Sequence, residues 1–179
     1  ATAAAGGSMV YLATTGTISS GTASVTLTAF DSSKYDNYTF IFELFKPVND
    51  SVLVYWQVSS DGGSSYITTY REFNTTATTQ VTEGFLAPFS RTTYSYGNAA
   101  NEYGANGSYR LYAPHNTSMY SSLITESSYG YADDNRIMAS HNYMATQVEN
   151  TASINAIKFY FSAGNIASGK ILMYGIAKS

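Results

Sequence analysis

The sequence predicts an all-β protein: an antiparallel β-sandwich, jelly-roll-like, with about eight to ten strands. Period-2 alternation is the first observation. Tyr38, Phe40, Phe42 and Leu44 alternate with Thr39, Ile41 and Glu43, and Val52, Val54, Trp56 and Val58 repeat the pattern against Leu53, Tyr55, Gln57 and Ser59. The second is turn chemistry recurring about every eight to twelve residues, most clearly at Asp61-Gly62-Gly63 and Ser162-Ala163-Gly164-Asn165. Third, no apolar period of 3.6 residues persists over three turns, so no amphipathic helix is encoded. A chain of 179 residues fits one such domain, assigned to residues 9–179 and preceded by a short extended N-terminal arm, residues 1–8.

The elements follow in order. Residues 1–8 are small and Gly-rich without periodicity, which fits a disordered tail or an arm that orders against a neighbouring subunit. Residues 9–12 and 24–28 read as the first strands, with Val25 and Leu27 facing in. Asp31 caps a turn before residue 35. Residues 37–70 read as a meander of three successive strands, turning at Pro47, Asn49 and Asp50 and again, as a hairpin, at Asp61-Gly62-Gly63. From 74 to 107 the pattern weakens to a short strand near 80–85 and an exposed excursion carrying Tyr94, Tyr96 and Tyr103. Strands return at 109–113, 119–126 and 136–146. The last two are 154–161, with Ile157, Phe159 and Phe161 facing one way and Lys158 and Tyr160 the other, and 169–176, with Ile171 and Met173 alternating with Leu172 and Tyr174.

Composition bounds the function. The chain has no Cys, which excludes disulfides, zinc thiolates and a cysteine nucleophile. A net charge of −3 without any Lys/Arg cluster argues against a nucleic-acid groove. No apolar run approaches the roughly 18 residues of a spanning helix, and residues 1–8 lack the charged and apolar regions of a signal peptide, so no membrane partner is expected. An N-terminal Ala1 fits either removal of an initiator Met or a piece of a longer protein. Charged residues make up only 12%, about half the usual share, while Tyr contributes 17 residues. A surface of hydroxyls, amides and phenols is poorly defended against association, and Tyr loses little entropy when fixed in a contact. Such a surface suits packing against copies of the same chain or a fixed partner.

Motifs carry little chemistry. Ser59-x-Asp61-x-Gly63-x-Ser65-Tyr66 has the spacing of an Asp box, a turn device in which the carboxylate accepts backbone N–H groups and the glycines allow positive φ. Ser59, Asp61, Gly62, Gly63 and Tyr66 are therefore assigned to a structural hairpin. His115 and His141 stand outside any ligand-spaced motif, and Asp133-Asp134-Asn135 lacks the Gly and Glu of a calcium loop. These read as structural histidines and a loop cap, so no catalytic residue, metal or cofactor is assigned. Sequons at Asn37, Asn49, Asn74, Asn106 and Asn116 are what chance gives in so Asn-, Ser- and Thr-rich a chain. Tyr94, Tyr96, Tyr103 and Tyr109 form an aromatic set suited to contact. Tyr94, Tyr96 and Tyr103 are the candidate protein-contact residues, together with Ala1, Thr2 and Ala3 of the arm.

Residues 28–50 (TAFDSSKYDNYTFIFELFKPVND), 58–66 (VSSDGGSSY) and 157–179 (IKFYFSAGNIASGKILMYGIAKS) together resemble a group of bacteriophage virion proteins and fibre-terminal domains. In that group a YDNY strand start, a DGG turn and a closing FxxGNIxSG hairpin recur around a jelly roll. The resemblance covers about half of the chain and leaves 74–149 unmatched. It implies a particle component rather than an enzyme, often trimeric, located in the virion. Short length without a shaft favours a capsid decoration or cement protein that clamps major capsid protein subunits. The runner-up is a tail-fibre or tailspike head domain binding a host surface glycan through Tyr-lined loops, and a free carbohydrate-binding module is a third reading.

Overall fold

The computed structural model describes residues 8–73, 78–85, 96–99, 102–130 and 137–178. Among the described residues every regular element is a strand, and there are twelve. The larger sheet has eight strands in the order β1 (Met9–Thr14), β12 (Ile166–Ala177), β3 (Tyr35–Pro47), β8 (Ala105–Tyr112), β9 (Ser121–Gly130), β10 (Ile137–Val148), β5 (Tyr70–Phe73) and β6 (Thr78–Val81). The smaller has four, β2 (Ser24–Leu27), β11 (Ala156–Phe161), β4 (Val54–Ser59) and the two-residue β7 (Gly84–Phe85). All pairings are antiparallel.

This is a jelly-roll sandwich with an extension. β1-β12-β3-β8 and β2-β11-β4-β7 form its two four-stranded halves, and the chain changes sheet at every step from β1 to β5, on entering and leaving β7, and on entering and leaving β11. The pairs β5–β6 and β9–β10 are inserted between those strands and lengthen the larger sheet on its β8 side.

The meander expected over 37–70 does not form. β3 pairs with β12 and β8, β4 with β11 and β7, and β5 with β10 and β6, so no two of the three strands pair with each other. The Asp61-Gly62-Gly63 turn is accordingly not a sheet hairpin. It carries the chain from the smaller sheet to the larger, and only the Ile67 N–H to Val58 O bond (2.9 Å) continues a ladder past it. The physical reason is that alternation reports which face is buried, not which strand supplies the hydrogen bonds. The inward aromatics of β3 are buried against the opposite sheet, where the next strand lies.

The core sits between these halves. Phe42 meets Phe159 of β11 edge-on at 4.9 Å and Tyr109 of β8 at 4.5 Å, Phe40 meets Phe159 at 5.5 Å, and Phe45 stacks on Phe161 at 4.9 Å. Each such pair adds about 0.5–1.5 kcal/mol beyond area burial. Val52, Val54, Trp56, Val58, Ile157, Phe159, Phe161, Ile171 and Met173 are all buried, as their alternation predicted.

Leu44 departs from its expected inward place. It has φ of 50° and is 54% exposed, while Phe45 takes the core position with no exposure. A bulge causes this: the β3–β8 register slips between Phe42 and Phe45, and the β3–β12 register between Ser168 and Lys170. Gly169 opposite the bulge has φ of 126°, and a Cβ there would lie 2.6 Å from the Phe45 Cα. Only glycine fits.

The extended sheet folds back onto the smaller one. Tyr70 of β5 is buried with its ring 5.2 Å from Trp56, and its hydroxyl accepts the Val58 N–H at 2.9 Å. Burial pushes the Tyr70 hydroxyl pKa well above the ordinary phenol range.

Candidate functional site

A concavity lies on the outer face of β1-β12-β3-β8. It is a groove of about 450 Å³ lined by Met9, Thr39, Ile41, Arg110, Tyr112 and Ile176, with Asn37 and Ser108 between them. Register explains its composition. Met9, Ile176, Asn37 and Tyr112 form one cross-strand row, and Tyr11, Tyr174, Thr39, Arg110 and Ile124 form the next. A smaller trough of about 130 Å³, between β8 and β9, shares Ser108, Arg110 and Tyr112 and adds Ile124 and Glu126.

Thr39 at the floor is only 6% exposed although it faces out, because its row neighbours cover it. Met9 is 53% exposed and Tyr11 52%, and Tyr11 packs edge-on against Tyr174 at 5.7 Å. Arg110 is exposed, and no ion pair of the described residues involves it. Lys170 and Glu43 close one end of the face as a 2.7 Å pair. The arrangement offers apolar walls, hydroxyl and amide groups, and one guanidinium. Such a groove fits an extended segment with an apolar side chain and a carboxylate.

A second feature lies on the outer face of the smaller sheet. The Lys158 ammonium lies 3.8 Å from the Tyr66 ring centroid and 4.9 Å from that of Tyr160, which in turn meets Tyr55 edge-on at 5.7 Å. Partial burial lowers the Lys158 pKa.

The Asp61 turn has the expected internal bonding. The carboxylate accepts the Ser59 hydroxyl (2.6 Å), the Ser65 N–H (2.9 Å) and the Ser65 hydroxyl, while Ser59 Oγ accepts the Gly63 N–H at 2.9 Å. These bonds, the Ser59 hydroxyl's first, hold the Asp61 carboxyl well below the usual range. Gly62 and Gly63 both have positive φ. Asn155 clamps the turn from the strand start at β11, accepting the Gly62 N–H and donating to Ser60 O. Tyr66 reaches back to Thr26 of β2 at 3.1 Å. The turn is a cross-sheet brace.

Of the predicted contact residues, Tyr96 and Tyr103 lie among the described residues. Ala1, Thr2, Ala3 and Tyr94 lie outside the described residues, as do Asp133, Asp134 and Asn135. Tyr96 is corrected from a surface contact to a core residue. It has no exposure, its backbone exchanges two hydrogen bonds with Val52, and its ring lies 6.3 Å from Phe161. Tyr109 is likewise buried against Phe42. Tyr103 is 49% exposed.

His115 is a structural pin. Its Nε2 lies 2.9 Å from the Tyr38 hydroxyl and its Nδ1 3.2 Å from the Ser153 hydroxyl, while Tyr38 Oη accepts the Asp31 N–H at 2.8 Å. Burial lowers the His115 pKa, helped by Lys178, and pushes the Tyr38 hydroxyl up to about 12. Among the described residues no group of three or more His, Asp or Glu side chains is placed to hold a metal ion.

The groove was missed for an identifiable reason. Alternation marks the inward sets, yet the outward sets of β12 (Leu172, Tyr174, Ile176) and of β3 (Ile41) are also apolar. A strand apolar on both faces was the available signal. No protein-family model, no curated protein and no solved structure matches the chain.

Proposed function

We propose that this chain is a bacteriophage virion structural protein, a homotrimeric capsid decoration or cement protein that stabilises the outer shell through protein–protein contacts. The observation that carries the reading is the outer face of the larger sheet. Exposed Met9 and Tyr11 stand beside an apolar groove where a self-sufficient sandwich would place charge. Its partner is the major capsid protein or another virion protein, whose apolar segment enters between Ile41, Tyr112 and Ile176 and sets a carboxylate on Arg110. Additive burial, multiplied by the symmetry of a shell, then strengthens the particle without catalysis. The sandwich scaffold and the virion resemblance of residues 28–50, 58–66 and 157–179 support this reading.

Gold labelling of intact virions tests it. Many copies distributed over the capsid support decoration, and label confined to the tail overturns it. Ile41→Asp, at a partly exposed outer-face position, is expected to lower particle occupancy at least tenfold, since a buried charge in an apolar contact costs several kcal/mol.

The second reading, a fibre head that binds a host surface glycan, rests on Tyr55, Tyr66, Tyr160 and Lys158, which bring phenol rings and an amine to one sheet face. A glycan array separates the two. Binding abolished by Tyr160→Ala favours the fibre head, and no binding at millimolar oligosaccharide removes it.

A further inference from the structure

β1 is an edge of the eight-stranded sheet, and it differs from the other edges among the described residues. β6 presents Thr78, Thr79 and Gln80 to solvent, β7 is two residues long, and β2 is capped at Thr26 by the Tyr66 hydroxyl. These are the usual ways of blunting an edge: polarity, brevity and cover. β1 has none of them. Met9, Val10 and Tyr11 are 53%, 37% and 52% exposed, so apolar side chains stand in solvent on both faces of a strand with no charge and no proline.

The ladder on the inner side of β1 determines which backbone groups are free. Ala177 donates its N–H to Ser8 O at 3.0 Å, and Met9, Val10 and Tyr11 lie opposite Ile176, Gly175 and Tyr174. Bonded and non-bonded pairs alternate along an antiparallel ladder. Val10 therefore exchanges its bonds with Gly175, and the N–H and C=O groups of Met9 and Tyr11 point away from β12. The Thr15 N–H to Ile171 O bond (3.0 Å) fits the same parity on β12 once the slip between Tyr11 and Ala13 is counted.

These free groups are self-complementary. When a second β1 is laid antiparallel on this edge with Val10 facing Val10, Met9 faces the partner's Tyr11 and Tyr11 faces the partner's Met9. Both members of each pair carry outward groups, so each pair exchanges both of its N–H···O bonds. Strands ~4.8 Å apart then set Met9 against the partner's Tyr11 on the outer face, and the two Val10 side chains together on the inner face. All three exposed apolar side chains are covered at once. The slip after Tyr11 ends the match there, and an isologous contact closes on itself, so the product is a pair and not a fibre.

We propose that β1 is a two-fold self-association edge, at which two copies of this chain join their eight-stranded sheets. The inference stands apart from where the protein sits in a particle. In a trimeric component, a two-fold contact links neighbouring trimers and does not build one.

The full chain is followed by light scattering and by amide hydrogen exchange over a range of concentrations. Mass is expected to rise in units of two copies of the 19.3 kDa chain. The Met9 and Tyr11 amides are expected to slow with concentration, while Val10 stays protected throughout. Met9→Pro deletes an outward N–H at the first residue of an edge strand, where proline is tolerated. It is expected to weaken association at least tenfold without lowering the melting temperature of the dilute chain. Three outcomes overturn the proposal: a monomer at every concentration, protection of Met9 and Tyr11 that is independent of concentration, or association in which both amides exchange at the open-chain rate. A trimer with freely exchanging Met9 and Tyr11 overturns this edge and leaves the trimeric reading standing, whereas a dimer that forms no trimer does the reverse.

Discussion

Tyr70→Phe isolates the bond that closes the extended sheet onto the smaller one. Tyr70 has no exposure, and its hydroxyl accepts the Val58 N–H at 2.9 Å beside the Trp56 ring. Removing that oxygen leaves a buried N–H with no acceptor, which costs about 1–3 kcal/mol. The lost hydroxyl no longer has to be desolvated, so the lower part of that range, about 1–2 kcal/mol, is expected. For a chain of this size about 1 kcal/mol moves Tm by about 2–4 °C, giving a fall of about 2–8 °C. Tyr66→Phe is the control. Its hydroxyl meets Thr26 at the surface, and its loss is expected to change stability by less than about 0.5 kcal/mol. Thermal melts followed by circular dichroism measure both, and hydrogen exchange at the Val58 amide reports the bond itself. If Tyr70→Phe melts with the unaltered protein while the Val58 amide stays protected, that N–H has another acceptor and the closure does not depend on Tyr70.

The bulge in β3 predicts opposite outcomes at adjacent residues. Phe45→Ala empties a core position and is expected to cost about 3–5 kcal/mol, whereas Leu44→Lys at a solvent position is expected to change stability by less than about 0.5 kcal/mol, both read from urea unfolding. Gly169→Ala forces a Cβ against the Phe45 Cα at a φ of 126° and is expected to destabilise by more than the about 1 kcal/mol of an ordinary glycine replacement. His115 carries a pH dependence. Its folded pKa is lowered, so the unfolded chain binds the extra proton first, and stability present above about pH 6.5 is expected to decline as pH falls through the folded value. In His115→Gln, comparison of urea midpoints at pH 7.5 and 5.5 is expected to show that decline reduced.

The class of fold was legible because burial is written in period two. Val54, Trp56, Val58, Ile157 and Phe159 could face the core in only one way once they lay in strands, and each is buried. Pairing was not legible. β3 and β4 are close in sequence and their turn residues suit a hairpin, yet the sheet partners of β3 are β8 and β12, about 70 and about 130 residues further along the chain. Nothing local in Tyr38–Phe42 distinguishes a neighbour in the same sheet from one across the core. Leu44 failed for a related reason: the bulge that turns it outward depends on Gly169 in a strand more than a hundred residues away. Tyr96 failed because a stretch without alternation was read as exposed. A single isolated bridge to Val52 was enough to take that ring into the core.

The same topology accounts for where the unspent contact surface lies. A jelly roll buries the inner faces of β1-β12-β3-β8 and β2-β11-β4-β7 against each other, so the outer faces owe nothing to folding and are free to be polar. On the smaller sheet the outer face is occupied by a brace, with Lys158 held over Tyr66 and Tyr66 tied to Thr26. On the larger sheet no such tie crosses Ile41, Tyr112 and Ile176 among the described residues, and the first strand adds an uncharged edge to the same surface. Apolar side chains left partly in solvent there expose the chain to unwanted association. Their presence at one edge and one groove, where the remaining edges among the described residues are polar, short or capped, is the observation on which the proposed assembly contact rests.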